Sequence, residues 1–216
     1  MQKKQIKVEP SILAADFGHI ASEVKKITEA GADAMHIDIM DGHFVPNLSM
    51  GPKMVAAINR ETDLFLDVHL MMYNPYDYIE RFVEAGADRI TFHIEATEDV
   101  EETLTFIRRC NVKAGLAFCP ETGQELVVKY LDQCDLVLLM TVRPGFGGQA
   151  FLPEVLEKIR FTHKMCAGLP CDIQVDGGID DKTAPLCIEA GANVLVAGTY
   201  LFKAPDMKQA IRGLRG

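Results

Sequence analysis

No stretch of this chain approaches the roughly 20 consecutive apolar residues that a membrane-spanning helix requires, which excludes a membrane partner of that kind. The opening segment, Met1-Gln2-Lys3-Lys4-Gln5, has no apolar core of a signal peptide and runs straight into a strand-like segment, so a cytoplasmic location is expected. Basic residues are in the minority: 22 Lys and Arg face 31 Asp and Glu, for a net charge of −9. That balance argues against a nucleic-acid partner. The six cysteines, at 110, 119, 134, 166, 171 and 187, contain no Cys-x-x-Cys pair and read as reduced thiols.

What is present is a globular chain. Its 216 residues and 48% hydrophobic content fit one domain over 1–216 with a substantial core. Apolar, β-branched runs alternate with segments of helical period. The strand candidates are Ile6–Leu13, Ala34–Ile39, Leu64–Leu70, Arg89–His93, Lys113–Ala117, Leu136–Met140, Asp172–Val175 and Val194–Ala197. Between them, Phe17–Ala30 predicts a helix with Ile20, Val24 and Ile27 on one face and Asp16 as N-cap. Leu104 with Ile107, Leu126 with Tyr130, Val155 with Ile159, and Met207 with Ile211 mark further helical stripes.

A faint repeat runs through this pattern. Glu-Ala-Gly-Ala recurs with its glycines at 31, 86 and 191, separations of 55 and 105 residues, each time between a helix and a strand. Eight alternations with right-handed crossovers predict an α/β fold, a single (β/α)8 barrel. The alternative, a doubly wound open sheet, would normally place a glycine-rich phosphate loop after its first strand. Pro10-Ser11-Ile12-Leu13-Ala14-Ala15 has no such glycines, so the barrel is favoured.

In such a barrel the C-terminal strand ends share one mouth, where active sites are built. His36 and Asp38, at i and i+2, point to the same side of their strand. Alone they read equally well as a hydrogen-bonded core pair. His69 and Asp176 close two further strands, and two imidazoles with two carboxylates around one point suit a divalent metal: Zn2+, Fe2+, Mn2+ or Co2+. Asp38 and Asp176 also offer two proton-transfer groups. Asp41 reads as a loop-orienting carboxylate and His93 as a satisfied polar residue at the mouth, with a metal role the lesser alternative. Met40, Met71 and Met140 are core filler, a dry cap over the site, or both. Gly145, Gly147 and Gly148 around Phe146, then Gly177 and Gly178, then Gly198 and Thr199, follow the last three strands. They make tight turns or cradle a phosphate through backbone N–H groups, and the neighbouring carboxylates favour the cradle.

The stretches 10–17, 36–47 (HIDIMDGHFVPN), 67–71, 144–149, 175–178 and 197–199 resemble the ribulose-phosphate 3-epimerase family, in order and from end to end. The resemblance implies a TIM barrel of the ribulose-phosphate-binding type. It implies an isomerase that interconverts D-ribulose 5-phosphate and D-xylulose 5-phosphate at C3, an activity of the pentose phosphate pathway and so of carbohydrate metabolism. By matching position, His36, Asp38, His69 and Asp176 would bind one divalent metal ion. Asp38 and Asp176 would be the two acid/base groups, Ser11 and His69 would touch the sugar, and the late glycines with Thr199 would hold the phosphate. No organic cofactor is implied, the partner is a small-molecule sugar phosphate, and relatives suggest a homo-oligomer.

Three positions depart from the family pattern: Arg143 and Cys119 stand where asparagine is common, and Tyr200-Leu201 after Thr199 is unusual. They leave room for a D-allulose-6-phosphate 3-epimerase, which shares the 36–47 stretch. Related lyases and decarboxylases carry Asp-x-Lys-x-x-Asp, whereas Asp38-Ile39-Met40-Asp41 has no lysine. An inactive sugar-phosphate-binding barrel would lack one of the four central residues, and all are present.

Overall fold

The computed structural model describes residues 4–216. Within them lie the strands β1 Lys7–Pro10, β2 Ala34–Met40, β3 Phe65–Met71, β4 Arg89–His93, β5 Lys113–Phe118, β6 Leu136–Met140, β7 Asp172–Asp176 and β8 Val194–Ala197. The helices between and after them are α1 Ile20–Glu29, α2 Pro52–Asn59, α3 Ile79–Glu84, α4 Val100–Arg109, α5 Gln124–Val128, α6 Val155–Met165, α7 Thr183–Ala190, α8 Thr199–Lys203 and α9 Met207–Arg215. All ladders are parallel, in the order β1-β8-β7-β6-β5-β4-β3-β2. This is the expected (β/α)8 barrel.

The last seam, between β1 and β2, is stitched rather than laddered. The Asp33 N–H donates to the Val8 carbonyl at 3.1 Å, and the Asp33 carboxylate accepts from the Val8 N–H at 2.8 Å. Further up, Ser11 forms an isolated parallel bridge with His36.

Period-two alternation divides the strand residues into two layers. Ile37 and Ile39, Val68 and Leu70, Ile90 and Phe92, Leu116 and Phe118, Val137 and Leu139 pack outward into the core shared with the helices. The inward set is mixed. Ala117, Leu136, Leu138, Met140 and Val194 form an apolar cluster on one side of the lumen. On the other side His36, Asp67, His69, Arg89 and His93 are buried. Gly115 belongs inside: a Cβ there would lie 2.2 Å from Thr91 Oγ1.

Most strand ends differ from the sequence reading by a residue at most, and three local departures are larger. The first strand stops at Pro10 and a 3-10 turn over Ile12–Ala14 replaces its second half, which turns Ser11 toward β2. The first helix begins with a 3-10 turn at Phe17–His19, where the Asp16 carboxylate accepts from the Gly18 N–H. Only then does the α-helix start, at Ile20. In α5 the stripe is displaced: Val127 is buried while Leu126 is exposed. No helix among the described residues is long and apolar enough to cross a membrane.

Candidate active site

The strand ends bring His36, Asp38, His69 and Asp176 together, one ligand atom from each lying within 4.8 Å of all the others. Register explains this. Asp38 pairs with His69 across β2 and β3, Asp176 ends β7, and His36 faces the lumen one inward position below Asp38. His36 Nε2 is 3.3 Å from Asp38 Oδ1 and 3.9 Å from Asp176 Oδ2, and His69 Nδ1 is 3.2 Å from Asp38 Oδ1. Ser11 Oγ donates to Asp38 Oδ2 at 2.6 Å, so the residue whose backbone bridges to His36 also fixes this carboxylate with its side chain.

Electrostatics separate the two carboxylates. Burial would raise both. At Asp38 the adjacent His36 charge reverses that and holds the group well below the usual carboxylate range. At Asp176 the His36 charge, farther away, offsets only part of the effect: burial pushes the group up to about 7, and the Asp38 charge adds to the rise. Burial lowers His69 to about 4, against the pull of its bond with Asp38. Two acids in one centre, poised apart, are the arrangement that proton transfer uses.

A layer of buried charge supports the centre from below. His36 Nδ1 is 2.8 Å from Asp67 Oδ2, Arg89 Nε donates to Asp67 Oδ1 at 2.7 Å, and Arg89 Nη2 donates to Glu9 Oε2 at 2.8 Å. Gln174 Nε2 donates to both carboxylates, at 2.7 Å to Glu9 and 2.8 Å to Asp67. These four residues were not singled out by the sequence reading. One signal was available: Asp67 lies two residues before His69, so both point into the lumen.

Above the centre opens a cavity of about 750 Å³. Ser11, Asp38, Asp176, Met40, Met71 and Met140 line its inner end, with the late glycines, Phe146 and Thr199 around the remainder. His36 and His69 are fully buried and do not line it. Met40 and Met71 pack with Val45 into a small cluster of their own. The turn after β7 leaves no space for side chains: a Cβ on Gly177 (φ +116°) would lie 2.3 Å from Val142, and one on Gly178 (φ +65°) 2.7 Å from the Phe151 backbone nitrogen. The loop after β6 is pinned by Asn47 Nδ2, which donates to the Gly145 carbonyl at 2.8 Å, and by Gln149 Nε2, which donates to the carbonyls of Arg143 and Phe146.

Other sequence candidates fall outside the cavity. Asp41 accepts from the N–H groups of His43, Phe44 and Tyr73, which makes it a loop anchor. Arg143 pairs with Glu121 on the surface at 2.7 Å, and neither Arg143 nor Cys119 lines the cavity. Of the unusual positions only Tyr200 does.

The donor set fits a divalent ion. Two imidazoles and two carboxylates are convergent, and the buried His36 Nε2 has no hydrogen-bond partner although its Nδ1 is tied to Asp67. A buried ring nitrogen left without a partner beside two carboxylates is what a ligand position looks like.

Fold and site together define a (β/α)8 barrel with a His/Asp centre at its C-terminal mouth, the face on which such barrels carry their chemistry. A sequence model described as the Ribulose-phosphate 3 epimerase family matches residues 7–202. The chain is 52% identical to a protein of Chlamydia pneumoniae named ribulose-phosphate 3-epimerase, over 100% of this chain and 96% of that one. It is 49% identical to the Bacillus subtilis protein of the same name, over 98% and 99%. Among solved structures, a 3-hexulose-6-phosphate synthase superposes with a TM-score of 0.68 over 97% of this chain and 98% of the other, at 19% identity, a likeness of fold alone. The chain belongs to the ribulose-phosphate 3-epimerase family.

Proposed function

We propose that this protein is an epimerase that interconverts D-ribulose 5-phosphate and D-xylulose 5-phosphate by proton exchange at C3. His36, Asp38, His69 and Asp176 would hold one divalent ion of the zinc, iron, manganese or cobalt group. When bound, that ion supplies Lewis-acid stabilisation of the negative charge that develops on the substrate oxygens. The observation that carries the proposal is the pairing of this four-residue centre with a glycine-walled cavity directly above it.

The residues divide the remaining work. Inverting C3 requires a proton to leave one face and return on the other, which one base cannot readily do. Asp38 on β2 and Asp176 on β7 approach from strands that β1 and β8 separate, which suits two-sided exchange. Ser11 orients the Asp38 carboxylate and lies beside the sugar. The three methionines keep water from the reacting carbon. The phosphate lies among Gly145, Gly147, Gly148, Gly177, Gly178, Gly198 and Thr199, held by backbone N–H groups in a protein whose net charge of −9 provides no basic field. No organic cofactor is needed for this chemistry.

The deciding experiment compares specificity constants for D-ribulose 5-phosphate and D-allulose 6-phosphate on one metal-loaded sample. Preference for the pentulose is expected, and preference for the hexulose would move the substrate while leaving the chemistry. In the same assay Asp176→Asn lowers kcat by about 10²- to 10⁴-fold, the usual contribution of a positioned acid/base group. Near-normal turnover by a folded Asp176→Asn protein would refute two-sided proton exchange.

A further inference from the structure

His69 is held from two directions. Its Nδ1 faces the centre, 3.2 Å from Asp38 Oδ1, while its Nε2 lies 2.9 Å from His93 Nε2. His93, fully buried on β4, has its own Nδ1 3.2 Å from Glu95 Oε2. Glu95 is itself anchored: its other oxygen accepts from the Cys119 N–H at 2.9 Å and from the Thr122 hydroxyl. A continuous line of polar contacts therefore runs from the centre through two imidazoles to a fixed carboxylate. The proton exchange described above uses neither His93 nor Glu95.

Two ring nitrogens 2.9 Å apart share a single proton, so the tautomers of the two histidines are linked. A ring nitrogen that ligates a metal must present a lone pair. Ligation through His69 Nδ1 places the His69 proton on Nε2, where it points at His93. His93 must then accept at Nε2 and carry its own proton on Nδ1. That is the side on which the Glu95 carboxylate, an obligate acceptor when ionised, is waiting. In the opposite tautomer His93 would donate to His69, push the His69 proton onto Nδ1 and block the ligand atom. The Cys119 thiol, 3.6 Å from His93 Nδ1, is a weak acceptor and does little to choose between the two.

We propose that Glu95 and His93 are positioning residues that lock His69 in the tautomer whose Nδ1 is free to bind metal, and so set the metal affinity of the centre. The proposal rests on the four-residue metal site argued above. It also gives the histidines two different supports: Asp67 acts on His36 directly, whereas Glu95 reaches His69 through a second imidazole.

The test titrates metal-free full-length protein with Co2+, read by the absorption of the bound ion and by competition with a chelator. Glu95→Gln keeps the shape but offers both a donor and an acceptor, so it no longer selects a tautomer. Glu95→Gln and His93→Gln are each expected to weaken Co2+ binding about 10- to 100-fold, the usual effect of losing such a support, without changing the melting temperature of the metal-free protein. Because the two act in series, the double variant binds no more weakly than His93→Gln alone. Additive losses would mean that the two act independently, which overturns the relay from Glu95 through His93. If either single variant fails to fold, Thr122→Val, which removes one of the two bonds that anchor Glu95, shifts the affinity in the same direction by less.

Folded variants that bind Co2+ as tightly as the parent, with an unchanged spectrum, overturn the proposal. So does a second equivalent of Co2+ that disappears in Cys119→Ser, because His93, Glu95 and Cys119 would then be a metal site themselves. A parent protein that takes up no Co2+ overturns the metal site and this proposal together.

Discussion

Arg89 sits between two buried carboxylates, and each of the three depends on the others. Its guanidinium is 5% exposed, with Glu9 and Asp67 at 2% and 0%. Burial pushes Glu9 up to about 7, and the arginine beside it works against that rise. Replacing a whole buried ion network by apolar residues can be neutral, but removing one member leaves uncompensated charge. Arg89→Met is therefore expected to destabilise the protein by about 3–5 kcal/mol, measured as a lower midpoint of urea unfolding. A change below about 1 kcal/mol would mean that the two acids simply take up protons. Asp67 would also lose the charge that orients it toward His36, so the disturbance reaches the centre itself.

At the scale of elements, α9 shows how much a short helix owes to its ends. Met207, Ile211 and Leu214 are buried, and the Asp206 carboxylate accepts from the Gln209 N–H at 3.0 Å. Asp206→Ala is expected to cost about 1 kcal/mol and to lower the melting temperature by about 2–4 °C in a chain of this size, without affecting turnover. Calorimetry of the variant checks this. Most elements were legible because their hydrophobic period is plain: β2 to β8 and the buried faces of α1, α4 and α6 follow from alternation. The failures have local causes. The 3-10 turns at Ile12–Ala14 and Phe17–His19 are set by a bridge and a side-chain cap that periodicity does not register. Three of the central residues, Asp38, His69 and Asp176, were legible because each closes an apolar run, and His36 because it lies two residues before Asp38. The layer beneath them was not, because Arg89 and Glu9 lie 80 residues apart and only closure of the barrel makes them neighbours.

Across the whole molecule, the lower rim is tied by charge. Asp172, at the start of β7, accepts from Lys7 Nζ at 2.8 Å, Lys4 Nζ at 3.1 Å and Asn193 Nδ2 at 2.9 Å, joining the N-terminal segment to β7 and β8. Against the opposing effect of burial, these bonds lower Asp172 to about 2 from its ordinary 3.8. A depressed carboxylate stabilises the fold fully above its unfolded pKa and loses that contribution as the pH falls through its folded one. Asp172→Asn is thus expected to be less stable than the parent by about 1 kcal/mol at neutral pH, after allowance for solvent screening. The gap should close between about pH 4 and pH 2 in parallel urea titrations, and a gap independent of pH would assign the loss to packing.

The stitched seam between β1 and β2 bears on how the protein fails. Seven junctions of the barrel are zipped by full ladders, and this one is held by the Asp33 contacts below and Ser11 against His36 above. Ser11, which makes the upper stitch with its backbone, also aims Asp38 with its hydroxyl. One residue serves both, its backbone the seam and its hydroxyl Asp38, so a breath of the wall at its thinnest join frees the carboxylate proposed to move the proton while the rest of the barrel stands.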